Sequence, residues 1–343
     1  MNKANLDLLK LIKQHQIHNQ RELAELSGYS LGLVNRELKR LRELELVDDQ
    51  FKLTSKAKTL FKKNKPKNAV ILAAGFGMRM VPINTETPKG LLEVKKEPLI
   101  ERLIKQLQAV GISDITVVVG FMKERYEYLI DEFQVKLVVN SEYQVKNNLH
   151  SLSKVKSSLD KTYIIPCDIW AEENPFSDFE PYSWYMVSEE MSVESTVRVN
   201  RKRELVMIDE TEEGNQMLGL SYLMGEEATL VQGKLQEFSK KASYDHEFWE
   251  CTLQNKNKWI IPSKVVNSKQ LIEINTYEQL REIDGNSANL QTDAISIIQD
   301  CFKVEVDEIK NITVLKKGMT NRSFLFECQN QKYIMRIPGE GTD

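Results

Sequence analysis

The stretch Ala69-Val-Ile-Leu-Ala-Ala-Gly-Phe-Gly-Met-Arg79, with Thr87-Pro-Lys89 following shortly after, decides how this chain is read. Its first six residues are small and apolar, as expected of a short strand buried on both faces of a parallel sheet. Gly75 and Gly77 then permit a tight turn and a close backbone approach to a ligand. Successive N–H groups in such a turn, leading towards a helix N-terminus, form a cradle for phosphate oxygens. Arg79 can add a bidentate clamp and Lys89 a compact positive charge. No Gly-Lys-Ser/Thr follows, so this is not a Walker loop. The third glycine of a dinucleotide fingerprint is missing as well. The alternative is a bare structural turn, against which the full A-A-G-x-G-x-R spacing and the downstream T-P-K both weigh.

Working downstream, residues 98–110 carry helical periodicity and end at Gly111, and Asp114 to Gly120 reads as a second buried strand. A charged helix is expected over 122–133, a strand over 136–140, a helix over 147–159 and a strand from Thr162 to Asp168. Strands alternating with helices predict an α/β, Rossmann-like fold with a mixed, mainly parallel sheet and helices on both faces. Alternating runs such as Thr196-Val-Arg-Val-Asn200, within residues 184–223, suggest added antiparallel strands.

Upstream, Leu6, Leu9 and Ile12 share a helical face, and a short helix runs from Asn19 to Gly28, a glycine suited to a left-handed cap. Ser30 caps a third helix, residues 46–54 read as a hairpin, and 55–63 as a closing helix. This order resembles a winged helix-turn-helix. Residues 1–67 hold 15 basic and 8 acidic side chains, a net of +7 that leaves −10 for the remainder of a chain of net −3. The basic end and the acidic body therefore suit different partners. Cys167, Cys251, Cys301 and Cys328 are scattered, with no CxxC pair, which fits a reducing cytoplasm. Nothing at the N-terminus reads as a secretory signal, and no run is long enough for membrane insertion.

The loop, together with Glu97-Pro-Leu-Ile100, Gly111-Ile112, Val119-Gly120 and the Asn140…Tyr143…Asn147-Asn148…Ser151 segment, resembles the sugar-phosphate and cytidylyl nucleotidyltransferase superfamily, on the branch of the bacterial CTP:phosphocholine cytidylyltransferases. The resemblance implies an Mg²⁺-dependent reaction of CTP with phosphocholine that releases pyrophosphate. It makes Leu72, Ala73, Ala74, Gly75, Gly77, Arg79 and Lys89 the nucleotide loop. Asn147, Asn148 and Ser151 would lie beside the base, although Asn147-Asn148 reads equally as a helix start. Asp168, at the carboxyl end of a strand, is where an open sheet binds ligands, and the resemblance gives it the metal. Arg79, Lys89 and Asp168 would be the catalytic set. Asn275 stands where the family carries a second metal aspartate, and offers one neutral carbonyl oxygen instead.

A quaternary ammonium is bound by aromatic faces and a carboxylate. Trp170, Glu194, Tyr222, Phe248, Trp249 and Glu250 are the expected acceptor residues, with Glu194-Ser195 standing where the family has Glu-Trp. Phosphocholine leads, and phosphoethanolamine or a sugar 1-phosphate stays open. Lys316 to Phe324 and Tyr333 to Thr342 resemble the opening of bacterial choline kinases, a kinase N-lobe fragment in which Gly318, Thr320 and Asn321 would lie over ATP phosphates and Arg336 would supply a cation. The expected domains are thus 1–67 winged helix, 68–285 nucleotidyltransferase and 286–343 kinase-like fragment. The winged helix offers Asn35, Arg36, Lys39, Arg40 and Arg42 to DNA, or else serves as a protein or homodimer contact. A competing reading of another class is a DNA-binding regulator whose degenerate transferase domain senses nucleotide or choline.

Overall fold

The structure is a computed structural model that describes all residues except 210, 316–321 and 339–343. It divides into two compact units, Met1–Lys67 with Ser177–Ser183, and Asn68–Phe176 with Trp184–Asp343.

The first unit contains α1 (Lys3–Gln14), α2 (Gln20–Ser27), α3 (Leu31–Glu43) and α4 (Ser55–Lys63). Asn19 and Ser30 cap α2 and α3 through their side chains, and Gly28 is left-handed at φ 66°. The expected hairpin is reduced to one bridge, Val47 to Leu53. Across it the Asp48 amide donates to the Lys52 carbonyl at 2.9 Å and the Thr54 amide to the Leu46 carbonyl at 3.1 Å, while the Asp48 carboxylate accepts the Gln50 and Lys52 amides at 2.8 Å. Phe179, from the segment Ser177–Ser183, is fully buried in this unit's core and meets Phe61 edge-on at 4.4 Å. Lys10 pairs with Glu180 at 2.6 Å, and Tyr182 donates to Asp7.

The second unit runs through β1 (Asn68–Ala73), β2 (Glu93–Val94), β3 (Glu97–Pro98), α5 (Leu99–Ala109), β4 (Asp114–Val119), α6 (Tyr128–Phe133), β5 (Lys136–Val139) and α7 (Asn148–Ser153). It continues with β6 (Thr162–Pro166), β7 (Ile169–Ala171), β8 (Trp184–Ser192), β9 (Val197–Val199), β10 (Glu204–Met207), β11 (Gly214–Leu223) and α8 (Gly225–Phe238). Then come β12 (Gln254–Asn255), β13 (Lys258–Val266), β14 (Leu271–Glu273), α9 (Tyr277–Ile283), α10 (Asp293–Phe302), β15 (Lys310–Leu315), β16 (Arg322–Cys328) and β17 (Gln331–Ile337). The main sheet has the order β5-β4-β1-β6-β11-β8-β13-β10-β9, with β12 on β13. Its β5-β4-β1-β6 half is parallel, and β11 enters antiparallel between β6 and β8. This is the expected mixed α/β sheet.

Two helices are shorter than expected. The helix over 147–159 stops at Ser153, followed by a 3-10 turn over Lys156–Ser158. The Ser153 and Ser158 hydroxyls donate to the His150 and Val155 carbonyls at 2.8 and 2.7 Å, bonds that compete with helix continuation. The charged helix over 122–133 opens as a 3-10 turn, Lys123–Tyr126, before α6.

Residues 286–337 share an apolar core with the transferase sheet's first loop: Met80, Val81 and Ile83 pack with Ile295, Ile312, Phe324 and Phe326. The segment set apart on sequence thus lies in the same compact unit as residues 68–176. Its strands β15-β16-β17 form a separate antiparallel sheet with Arg336 exposed, while Gly318, Thr320 and Asn321 fall outside the described residues. Among the described residues, no helix is long and apolar enough to cross a membrane.

Candidate active site

The site grows from the end of β1. The Phe121 amide donates to the Ala74 carbonyl at 3.1 Å and the Cys167 amide to Leu72 at 3.2 Å, fixing the strand between β4 and β6 where the loop departs. Ala73 and Ala74 are buried beneath the turn. Gly77 is left-handed at φ 62° and opens the 3-10 turn Met78–Met80. A Cβ placed at Gly77 would lie 3.5 Å from the Lys89 Cβ, whereas one placed at Gly75 would meet nothing within 4 Å among the described residues. The fold thus explains glycine at 77 by backbone conformation. At 75 it offers no steric reason, and the open space above that Cα suits a closely approaching ligand.

Charge converges below the loop. The Lys89 ammonium donates to the Asp168 carboxylate and, at 2.6 Å, to the Asn275 side-chain carbonyl. Arg79 reaches the same Asn275 oxygen at 2.8 Å and lies 3.5 Å from the exposed carboxylate of Glu194. Asp168 sits in the turn between β6 and β7, and its backbone carbonyl accepts the Ile274 amide at 2.9 Å. That bond holds the Asn275 segment against it. Gln279 accepts the Asn275 amide at 2.7 Å from the first turn of α9. Burial, and then the Asp168 carboxylate beside it, raise the pKa of Glu273.

Asp168 Oδ1 is buried and, among the described residues, has no hydrogen-bond partner. An orphaned carboxylate oxygen next to an amide carbonyl is the donor chemistry a hard cation takes. Among the described residues no group of three or more His, Cys, Asp or Glu side chains is placed to hold a metal. A cation here would therefore draw its remaining ligands from substrate phosphates and water, which is how Mg²⁺ is commonly held.

The three residues expected beside the base are engaged within the protein. Asn147 caps α7, accepting the Asn148 amide at 2.7 Å, and donates to the His246 carbonyl at 3.0 Å. Asn148 accepts the Trp249 amide at 2.8 Å, and Ser151 accepts from Asn140 at 3.0 Å. The asparagine pair thus fastens the segment carrying Phe248, Trp249 and Glu250 onto α7.

The expected acceptor residues do not converge. Trp170 is buried in the core behind the loop, and the Arg102 guanidinium lies 4.0 Å from its ring centroid. The chain's own cation occupies that face, so Trp170 is corrected from a cage wall to a core residue. Tyr222 is likewise fully buried, its ring tilted against that of Tyr163 with centroids 5.0 Å apart. Trp249 belongs to the other core cluster, Phe248 is 59% exposed, and Glu194 points outward. Glu250 differs from these. Its Oε1 accepts the Tyr185 hydroxyl at 3.0 Å, while its buried Oε2 has no partner among the described residues. Burial pushes its pKa up to about 7. Sequence reading missed Glu273 and Gln279. The signal for Glu273 lay in Ile272-Glu273, whose strand pairs with β7 directly beyond Asp168.

A glycine loop at the carboxyl end of a parallel strand, a buried lysine–aspartate pair and an asparagine facing both define a nucleotidyltransferase. Comparison with known proteins agrees. Residues 69–171 match the MobA-like NTP transferase domain, and residues 1–48 match a winged helix-turn-helix DNA-binding family. The choline-phosphate cytidylyltransferase of Streptococcus pneumoniae (strain ATCC BAA-255 / R6) is 32% identical over 241 residues, 69% of this chain and 96% of its own. The 2-aminoethylphosphonate cytidylyltransferase of Lancefieldella rimae is 29% identical, over 63% of this chain and 92% of its own. The solved structure of the S. pneumoniae CTP:phosphocholine cytidylyltransferase superposes with a TM-score of 0.60 at 26% identity, over 64% of this chain and 98% of that one. The chain belongs to the choline-phosphate cytidylyltransferase family of nucleotidyltransferases, with a winged helix at its N-terminus.

Proposed function

We propose that the chain transfers a cytidylyl group from CTP to phosphocholine, with Mg²⁺, giving CDP-choline and pyrophosphate. The observation that carries this is the Lys89–Asp168–Asn275 cluster beneath a loop in which a Cβ placed at Gly75 would meet no described residue within 4 Å. A phosphate monoester is largely ionised near neutral pH, so its oxygen is already a nucleophile and needs no base. That oxygen attacks the α-phosphorus, a P–O bond forms, the α–β bridging bond breaks in line, and pyrophosphate leaves with the electron pair. Lys89 and Arg79 hold the reacting phosphates and offset the growing negative charge, while the loop amides orient the chain of phosphates. A divalent ion on Asp168 and Asn275 would supply further charge neutralisation.

The acceptor assignment draws on Glu250. A buried carboxylate oxygen without a partner is costly unless it is protonated or meets a cation. An onium group against Glu250, with the rings of Tyr185 and Trp249 nearby, removes that cost. The name of the L. rimae relative involves an ammonium-bearing acceptor too. Supplying CTP with phosphocholine, phosphoethanolamine, 2-aminoethylphosphonate or glucose 1-phosphate, and comparing kcat/KM, tests the assignment. Highest efficiency with glucose 1-phosphate would contradict it.

For the first unit the proposed partner is duplex DNA. Asn35, Arg36, Lys39 and Arg40 are exposed along α3, whereas Val34, Leu38 and Leu41 are buried. One helix face therefore presents cations while the other anchors the helix. Fluorescence anisotropy with labelled duplex at several salt concentrations checks this; affinity that ignores salt would contradict it.

A further inference from the structure

The residues from 286 onward lie outside the segment matched by the MobA-like family, residues 69–171, yet they reach the nucleotide loop at several points. Asn289 accepts the Glu93 amide at 2.8 Å and donates to the Thr87 hydroxyl at 3.4 Å. Glu86 accepts the Asp293 amide at 2.9 Å. The Ile312 amide donates to Glu278 at 2.7 Å, and Arg281 donates to the Ile309 carbonyl at 2.6 Å, fastening β15 to α9 just after Asn275. Met80, Val81 and Ile83, immediately behind the glycine turn, share their core with Ile312, Phe324 and Phe326.

At the end of this docking lies one cation. The Arg322 guanidinium, at the start of β16, is 5.0 Å from the ring centroid of Phe76 and 6.0 Å from that of Phe121. Phe76 is the residue between Gly75 and Gly77. Its ring stacks on Phe121 at 4.1 Å and lies 6.1 Å from Tyr143, so three aromatic rings form a stack beside the loop. Among the described residues, no carboxylate pairs with Arg322. A guanidinium over an aromatic face both holds that ring and leaves its charge available to a polyanion.

We propose that Arg322 is a positioning residue for the nucleoside triphosphate: through Phe76 it fixes the glycine loop in its phosphate-cradling shape, and beside it adds a positive charge that no carboxylate among the described residues pairs. This rests on the cytidylyltransferase reading above. The C-terminal segment is thereby part of the nucleotide site, not an appendage to it. An interaction made equally with ground and transition states changes KM without changing kcat. The effect therefore belongs to nucleotide affinity.

The test compares the full chain with Arg322→Ala, Arg322→Lys, Phe76→Leu and the Arg322→Ala/Phe76→Leu double variant. CTP affinity is read by calorimetry without acceptor, and steady-state turnover by pyrophosphate release. Arg322→Ala should raise both the Kd and KM for CTP about three- to ten-fold, the scale of one cation–π contact with an added phosphate attraction. Its kcat and its KM for phosphocholine should stay within about two-fold of wild type, as expected for lost uniform binding. Arg322→Lys should recover most of the loss, and the double variant should fall short of the product of the two single effects. Wild-type turnover with CTP alongside an unchanged CTP affinity in Arg322→Ala overturns this inference and leaves the cytidylyltransferase reading intact. So does a loss confined to kcat. A wild-type chain that neither binds nor uses CTP overturns both.

Discussion

The Lys89 ammonium lies 2.6 Å from the Asn275 side-chain carbonyl, and also donates to Asp168. Three residues separated by as many as 186 positions thus share one charge centre. Lys89 is held between a buried carboxylate and a neutral amide, and it is the cation nearest the reacting phosphate in the proposed reaction. Lys89→Met should lower kcat by roughly 10²- to 10³-fold, the usual cost of removing one preorganised charge-stabilising donor. Pyrophosphate release under saturating substrates measures it. A kcat near wild type would place the catalytic charge elsewhere.

In the proposed reaction Asp168 and Asn275 would hold the divalent ion. Asn275 contributes a neutral oxygen where a carboxylate would bind a divalent cation more tightly. Asn275→Asp should lower the half-saturating Mg²⁺ concentration several-fold, and Asp168→Asn should raise it. Turnover titrated with Mg²⁺ after chelator treatment reads both. Identical metal curves for all three proteins would exclude these two side chains as the ion's holders.

The two loop glycines should separate stability from function. Gly77 is left-handed, so Gly77→Ala forces a strained backbone and should cost about 1 kcal/mol. At Gly75 a Cβ meets no atom of the described residues within 4 Å. Gly75→Ala should therefore unfold at nearly the wild-type temperature while its KM for CTP rises. Calorimetric melts paired with kinetics distinguish the two positions, and a Gly75→Ala protein with normal CTP kinetics would remove the ligand from the space above the loop.

Glu250 predicts a pH dependence. Burial raises its pKa to about 7, so below that pH the carboxyl is protonated and has lost its attraction for an onium group. The KM for phosphocholine should climb as pH falls through about 7, and the Glu250→Gln protein should show a higher KM without that component. The acceptor phosphate also titrates near pH 6, and the glutamine variant isolates its share. The sign for stability is opposite to that of an ion-paired carboxylate. A raised pKa means the folded state keeps a proton that the unfolded chain releases, so stability declines as pH rises from about 4.5 to 7 and then levels. Chemical denaturation across that range should show the slope, and Glu250→Gln should reduce it.

How much of this was legible in the sequence depended on the range of the interactions. The strand-loop run from Ala69 to Arg79 could be read because strand burial, left-handed turns and phosphate cradles are written in adjacent residues. The caps Ser30 and Gly28 were visible for the same reason. The early stop of α7 was not, because helical periodicity says nothing about serine hydroxyls turning back onto the backbone. Trp170 and Tyr222 were read as ligand walls because composition cannot say which face of a strand looks inward. In the structure, Arg102 covers one and the ring of Tyr163 packs against the other. Arg322 over Phe76 joins positions 246 residues apart, and no local pattern announces such a pairing.

Phe179 offers a test of the first unit. It is fully buried against Phe61 in a core whose other buried residues come from within 1–67. Phe179→Ala should destabilise that unit by about 3–5 kcal/mol, the range for an aromatic core truncation. Amide hydrogen exchange over α1 to α4 measures it. Unchanged protection there would show that the segment from Ser177 to Ser183 is dispensable to the winged helix.

The account stands most directly on one measurement: pyrophosphate release by the purified chain with Mg²⁺ and phosphocholine, with CTP, UTP, GTP, ATP or dTTP supplied in turn. Release with CTP far above that with the other four is the predicted result. No release with any of them, or release favouring a purine nucleotide, would contradict it.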